Sequence, residues 1–567
     1  MKKTKIICLI LSVLLSVTSL AACGTRGGGG QEIDETKSLL NIGVFEDGVG
    51  SFFVDKYIED FVEHYKNTPF EDGKMGVQVL KEAKKDEFKA ETLKTNMPYL
   101  SNVLWFVPGS PNDFLGDNLI LDITDVMTEK IYDDNGDLAE VTGNPATKNI
   151  LSSMHSKYDE FINFDGHYYS IPWRTYFYGT TYDADLFNNQ RLYFLANGQI
   201  GANQANINQG NCSTGPDGVK GTSDDGMPNT WNDFVKLMDY MVGKKITPFT
   251  WSGQTDYQRR GFYSDVWANY EGANNFALNY SYNGTDSKLG EINSSNFTNL
   301  KNQKGRLAGL KASYDVTSKA AYHSDKADKN TYTEAQFEFA YSILTDKKVA
   351  MLFEGSFWEI EAKMTFDDMA KTNPDFGYGK RDFRWLPIPN FVGVDGVPDQ
   401  TKSVNENGAY DRVLKGTAAH KTSICIAARA DVENYETQVK LAKLFIKFIH
   451  SREQLANFTK NTGGCWRPFN FTVTDEEIAE WPGVARSIYK YLEEGATIVD
   501  NLPLSNYIRD NQELYAEGRW EFRAPGGYKG VYYDPIQLFM EQNKNAVNVT
   551  VQQCYNSMLT QFSHDWE

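Results

Sequence analysis

Short stretches in which aromatic rings alternate with polar side chains are the part of this chain best suited to chemistry. The run from Tyr168 to Tyr178 carries Trp173, Arg174 and Tyr176, and the run from Trp251 to Tyr257 sets two rings around serine, glutamine, threonine and aspartate. Aromatic residues make up 14% of the sequence. A flat ring next to carboxylates and amides suits a sugar, whose C–H face packs on the ring while its hydroxyls need fixed donors and acceptors at the edge. A second cluster runs from Gly215 to Gly226 and spaces Asp217, Asp224 and Asp225 among glycines. Carboxylates on a flexible turn are what a hard cation such as calcium requires, although the spacing is not that of an EF-hand. The same loop also reads as a solvated acidic turn. No Ser-His-Asp or Cys-His constellation is evident among seven histidines, and no glycine-rich phosphate loop occurs.

With 567 residues, 41% of them hydrophobic and 23% charged, the chain has room for two or more domains with substantial cores. The formal charge of −18 suits neither nucleic acid nor an anionic lipid surface. At the start, Lys2, Lys3 and Lys5 precede an apolar run from Ile6 to Leu20, then Ala21, Ala22 and Cys23. That order resembles a bacterial lipoprotein signal, with residues 1–22 removed and the Cys23 thiol lipidated. Residues 23–37, with four glycines from Gly27, read as a linker that tethers a soluble body outside the membrane. The other cysteines, Cys212, Cys425, Cys465 and Cys554, lie far apart and in no zinc spacing, so buried thiols and disulfides both stay open.

The elements that must position these residues alternate between strand and helix. Leu39 to Phe45 reads as a strand, and the turn at Glu46 and Asp47 leads into a helix with Phe53, Tyr57, Phe61 and Tyr65 on one face. Val103 to Val107 reads as another strand, ending before Asp113. Ligands in open α/β sheets bind beyond the carboxyl ends of strands, so Glu46, Asp47, Trp105 and Asp113 are candidate ligand contacts. Thr230 caps a helix beginning at Trp231, and one long helix is expected from Tyr435 to Asn461. Between them, Lys347 to Glu354 reads as a turn and a buried strand, and the glycine turn that follows presents Phe357 and Trp358.

The order of these segments resembles the carbohydrate-binding, family 1 extracellular solute-binding proteins of ABC importers. The pieces that carry the resemblance are the signal ending at Cys23, Tyr169 to Pro172, Thr181 to Phe187, Pro228 to Phe234, Lys348 to Ser356, and the long helix running into Gly463 and Gly464. The resemblance implies a two-lobed α/β fold of the type II periplasmic-binding-protein class, with hinge crossovers and ligand in the interlobe cleft. The lobes would comprise residues 38–155 with 388–460, and 156–387 with 461–567. It also implies a non-catalytic, monomeric receptor that delivers its ligand to permease subunits.

By segment, the resemblance assigns ligand contacts to Glu46, Asp47, Trp105 and Asp113 in the first lobe, and to Trp173, Arg174 and Tyr176 after Pro172. It adds Trp251 and Tyr257, Phe357 and Trp358, and the loop pair Trp466 and Arg467. Insertions between Phe187 and Pro228, from Asn274 to Gln303 and from Gly518 onward would deepen or extend the cleft for a longer glycan, an oligosaccharide. Other solutes on the same fold, such as a peptide or polyamine, and a glycan-cleaving enzyme are the alternatives. Arg174 and Arg467 leave a sugar acid open as cargo.

Overall fold

In a computed structural model, residues 32–565 are described, apart from 111, 403, 405–407, 418–421, 501–533 and 545–548. The signal segment and Cys23 therefore lie outside the described residues. Among those described, no helix is long and apolar enough to cross a membrane.

The first lobe is built on strands β1 (Ser38–Phe45), β2 (Val77–Lys84) and β3 (Leu104–Pro108). The second lobe adds β4 (Tyr178–Asp183), β5 (Ile246–Trp251), β6 (Lys348–Gly355) and β7 (Phe383–Trp385). Strand β8 (Val413–Gly416) precedes β9 (Thr422–Ile426), which returns to the first lobe, and β10 (Thr497–Asp500) pairs with β8. The first sheet has the order β9-β3-β1-β2, with β1 parallel to both neighbours and β9 antiparallel to β3. The second has the order β7-β4-β6-β5, with β6 parallel to β5 and antiparallel to β4. Each lobe is thus an α/β layer structure, and the two-lobed reading of the sequence holds.

Helix α1 (Phe52–His64) turns Phe53, Tyr57 and Phe61 onto the first sheet, as its spacing requires. The long C-terminal helix is two: α2 (Tyr435–Ile449) and α3 (Arg452–Thr462), broken at His450 and Ser451. The break lets α3 bring Phe458 against Phe53, with ring centroids 5.4 Å apart, while α2 keeps Phe445 on Phe61. The capping at Thr230 is present, its hydroxyl accepting from the Asp233 amide.

Three crossovers run side by side between the lobes. Ile171 bridges to Ile424, Thr175 to Trp466, and Phe177 to Gly416. These positions move the lobe boundaries away from 155 and 388. Tyr158, Ile162, Ile171 and Trp173 belong to the core of the first lobe, whereas Phe391, Val394, Val397 and Val413 are buried in the second. The chain therefore leaves the first lobe after Trp173 and returns to it at β9. It crosses last beyond Phe469, which still packs in the first lobe.

Strand β3 is buried on both faces, and Trp105 is fully enclosed beside Phe88, with its indole N–H donating to the Asn102 carbonyl at 3.0 Å. Trp105 is therefore a packing residue and does not face the cleft. Trp105→Ala is expected to cost about 3–5 kcal/mol in urea unfolding. A loss of ligand affinity at unchanged stability would instead place the ring in the site.

Candidate functional site

A cleft of about 620 Å³ opens between the lobes, within the range of small-molecule sites. From the first lobe it is lined by Asp47 and Gly48 after β1, Lys85 after β2, Pro108 at the end of β3 and Thr422 at the start of β9. The crossovers contribute Arg174, Tyr176 and Thr417. The second lobe supplies Tyr178, Gln258, Arg260, Tyr332, Glu354, Phe357 and Glu361. Strand ends β1, β2, β3 and β6 thus meet where open α/β sheets place their ligands.

The best-defined contact is between Asp47 and Arg174. One guanidinium nitrogen donates to Asp47 Oδ1 at 2.8 Å, and the second nitrogen pairs with Oδ2. Arg174 is buried between rings, its guanidinium carbon 4.6 Å from the Trp173 centroid and 5.8 Å from that of Tyr176. Burial alone would raise the Asp47 carboxyl, but the charge and hydrogen bonds of Arg174 outweigh it and hold the group below its ordinary value. Beside this pair, Tyr176 stands edge-on to Phe357 at 4.7 Å and to Tyr178 at 5.3 Å. The far wall is acidic. Glu354 is pushed well up by burial and then by the like charge of Glu361, and Glu361 is raised by burial to about 7. An apolar ring cluster next to fixed carboxylates and amides can bind a polyhydroxylated ring. Among the described residues lining it there is no serine, cysteine or histidine.

Of the residues singled out in the sequence, the structure brings Asp47, Arg174, Tyr176 and Phe357 into this cavity. Trp173 lies directly beneath, stacked on Phe53 at 5.2 Å, and supports Arg174 without lining the cleft. Glu46 is exposed and accepts from Ser51, and Asp113 caps its own turn by accepting from the Ser110 amide at 2.6 Å. Trp251 stacks on Phe353 inside the second lobe, at 5.2 Å and 8°. Trp358 is enclosed by Phe339, Phe366 and Phe383. Trp466 packs edge-on against Trp481, and Arg467 is buried against His450, Phe458 and Phe469. These four are core residues because their segments run beneath the cleft surface. The side chain of Tyr257 lies outside the described residues. Sequence reasoning missed Gln258, Glu354 and Glu361. A glutamate ending an otherwise apolar strand, as Glu354 does, was the available signal.

The insertions do not reach the cleft: no residue of 188–227 or 274–303 lines it. Residues 518–533, with Trp520, Tyr528, Tyr532 and Tyr533, lie outside the described residues. In the acidic loop, Asp217 and Asp224 lie 3.7 and 3.6 Å from the Arg412 guanidinium. Asp224 also accepts from the Asp217 amide and the Thr222 hydroxyl, and Asp225 from the Gly221 amide. Glu494 accepts from Ser223 and from Arg412. Among the described residues, no three His, Cys, Asp or Glu side chains are grouped to hold a metal ion. The cationic side chains beside the loop are Arg412 and, further off, Lys402.

No family model matches the chain, and no curated protein sequence matches it. Solved structures do. The bacterial solute receptor AcbH, described as preferring β-D-galactopyranose exclusively, aligns over 94% of this chain and 100% of its own at 11% identity, with a TM-score of 0.50. A probable secreted solute-binding lipoprotein from Streptomyces coelicolor aligns over the same shares, also at 11% identity and a TM-score of 0.50. The likeness is one of fold: this chain has the two-lobed architecture of solute-binding proteins.

Removing Arg412 tests what holds the acidic loop. Arg412→Met removes the guanidinium that faces Asp217 and Asp224 and leaves them only the more distant charge of Lys402; it is expected to cost about 3 kcal/mol in urea unfolding, with no effect of EDTA on the wild type. A bound calcium ion would show the reverse, with EDTA destabilising the wild type and Arg412→Met having a small effect.

Proposed function

We propose that this protein is a carbohydrate receptor that captures an oligosaccharide outside the cell and delivers it to the permease of an ABC importer, without catalysis of its own. The observation that carries the reading is the interlobe cleft in which Tyr176, Tyr178 and Phe357 form an edge-to-face cluster beside Asp47, Gln258, Glu354 and Glu361. Rings supply the apolar face that a pyranose packs on, and the surrounding acceptors and amides engage its hydroxyls. The shared fold of solute-binding proteins supports it, as does the preference of AcbH for a galactopyranose. The resemblance of residues 1–23 to a lipoprotein signal supports a tethered, extracytoplasmic receptor. On this reading the lobes close around the sugar, and the closed form presents both lobe surfaces to the permease at one spacing.

The test is a thermal-shift and calorimetric screen of the mature protein against neutral, acetylated and acidic oligosaccharides. A ligand that binds only the folded state stabilises it by about 2.7 kcal/mol at one hundred times its Kd, so one saccharide class is expected to raise the melting temperature. Phe357→Ala is expected to weaken that saccharide by about tenfold, in line with the roughly 0.5–1.5 kcal/mol of an aromatic contact beyond its area. Hydrolysis of a glycan by the pure protein, or no shift with any saccharide, would contradict the reading.

A further inference from the structure

On the second-lobe wall of the cleft two carboxylates and a side-chain amide stand together, with Arg260 on the same wall. Glu354 is 1% exposed and stands next to last in β6, where the strand emerges from the core. Its Oε1 accepts from the Gly355 amide at 2.8 Å and from the Gln258 side-chain amide, while its Oε2 has only Gln336 Nε2 at 3.4 Å. Glu361 draws on the same nitrogen, its Oε2 accepting from Gln336 Nε2 at 2.7 Å. One amide nitrogen therefore serves two carboxylates. The other oxygen of Glu361 reaches across to Gly48 of the first lobe and fills the space a Cβ there would take. Gln258 is 2% exposed and lines the cleft, yet its side-chain oxygen has no hydrogen-bond partner.

We propose that Glu354, Glu361 and the Gln258 side-chain oxygen form a subsite for a protonated primary amine, so that the captured solute carries an ammonium group on the face it turns to the second lobe. An ammonium brings three N–H donors and no acceptor, which matches the oxygens of Glu354, Glu361 and Gln258. It also offsets the burial that raises both carboxyls and the like charge of Glu361 that raises Glu354 further. A hydroxyl supplies donors but leaves the repulsion, and a carboxylate adds a third negative charge. The charged groups facing this wall from other elements are Asp47, Arg174 and Lys85, whose charge partly offsets that of Glu361, while Arg260 stands on the helix of Gln258 itself. Arg174 is committed to Asp47 through both oxygens, and Arg467 is buried in the first-lobe core, so neither arginine is placed to draw a sugar acid into the cleft. Two sources of the amine fit this chemistry, a deacetylated amino sugar and a polyamine. The amino sugar rests on the carbohydrate reading; the polyamine does not.

Calorimetry at pH 7.5 with the full mature protein separates them, using glucosamine oligosaccharides, their N-acetylated equivalents, neutral gluco-oligosaccharides, oligogalacturonides and spermidine. The glucosamine series is expected to bind at least tenfold more tightly than its acetylated and neutral counterparts, with oligogalacturonides weakest. Glu361→Gln, which keeps the side-chain shape, is expected to bring the amine-to-acetyl ratio close to one, and Gln258→Leu to lower it. Equal affinity for amine and acetyl forms in the wild type would overturn the ammonium subsite and leave the carbohydrate receptor standing. A ratio unchanged in both variants would also overturn it. Binding of spermidine with no saccharide bound would support the subsite and overturn the carbohydrate reading, and binding of none of the five would overturn both.

Discussion

A guanidinium buried between aromatic rings must be paired where it sits, because an uncompensated charge there would cost several kcal/mol. Arg174 meets that demand through Asp47 alone, by two parallel contacts. The pair fixes the relation between the loop after β1, in the first lobe, and the first crossover. Much of the cleft depends on that relation. Trp173, one residue earlier, is wedged on Phe53 and roots the crossover in the first lobe. Thr175, one residue later, exchanges backbone hydrogen bonds with Trp466 of the third crossover at 2.8 Å in both directions. Tyr176 is then left with one course, into the cleft against Phe357. Four consecutive residues thus anchor a lobe, balance a charge, bind a second crossover and supply the ring of the site.

The same constraint explains a division of charge across the cleft. On the first-lobe side the acid and the base cancel, and Asp47 stays ionised. On the second-lobe side two glutamates draw on the same Gln336 amide nitrogen and are pushed toward their neutral forms by burial, Glu354 further by the charge of Glu361. A site built this way discriminates among ligands of similar shape by charge, since a neutral ring, an ammonium and a carboxylate meet the same walls with different electrostatic consequences. The aromatic cluster, which is indifferent to charge, supplies the shape.

Much of the architecture was legible in the sequence because it rests on local signals. The strand before Glu46, the face of α1, the cap at Thr230 and the glycine turn after β6 all follow from spacing and turn chemistry. The crossover run from Trp173 to Tyr178 announced itself by composition. What was not legible depended on contacts distant in sequence. Trp105 lies in a strand covered on both faces, and nothing in an unbroken apolar run says which rings are enclosed. Phe357 and Trp358 are adjacent, and which of them enters the cleft is decided by Phe339, Phe366 and Phe383, which close around the tryptophan. The lobe boundaries shifted because residues 156–173 pack on a sheet whose last strand arrives some 250 positions later in the chain, at Thr422 to Ile426. That Arg412 faces the acidic loop could not be read from the loop itself, because it stands far away in sequence.

The central claim is that ligand enters between the lobes and is held by their closure. Small-angle X-ray scattering of the mature protein, with and without a saturating amount of the saccharide identified by calorimetry, tests it most directly. The account predicts a smaller radius of gyration and a shorter maximum dimension in the bound state, with Phe357→Ala requiring more ligand to reach the same profile. A scattering profile unchanged at full occupancy would contradict it, since the saccharide would then be bound without bringing the two lobes together.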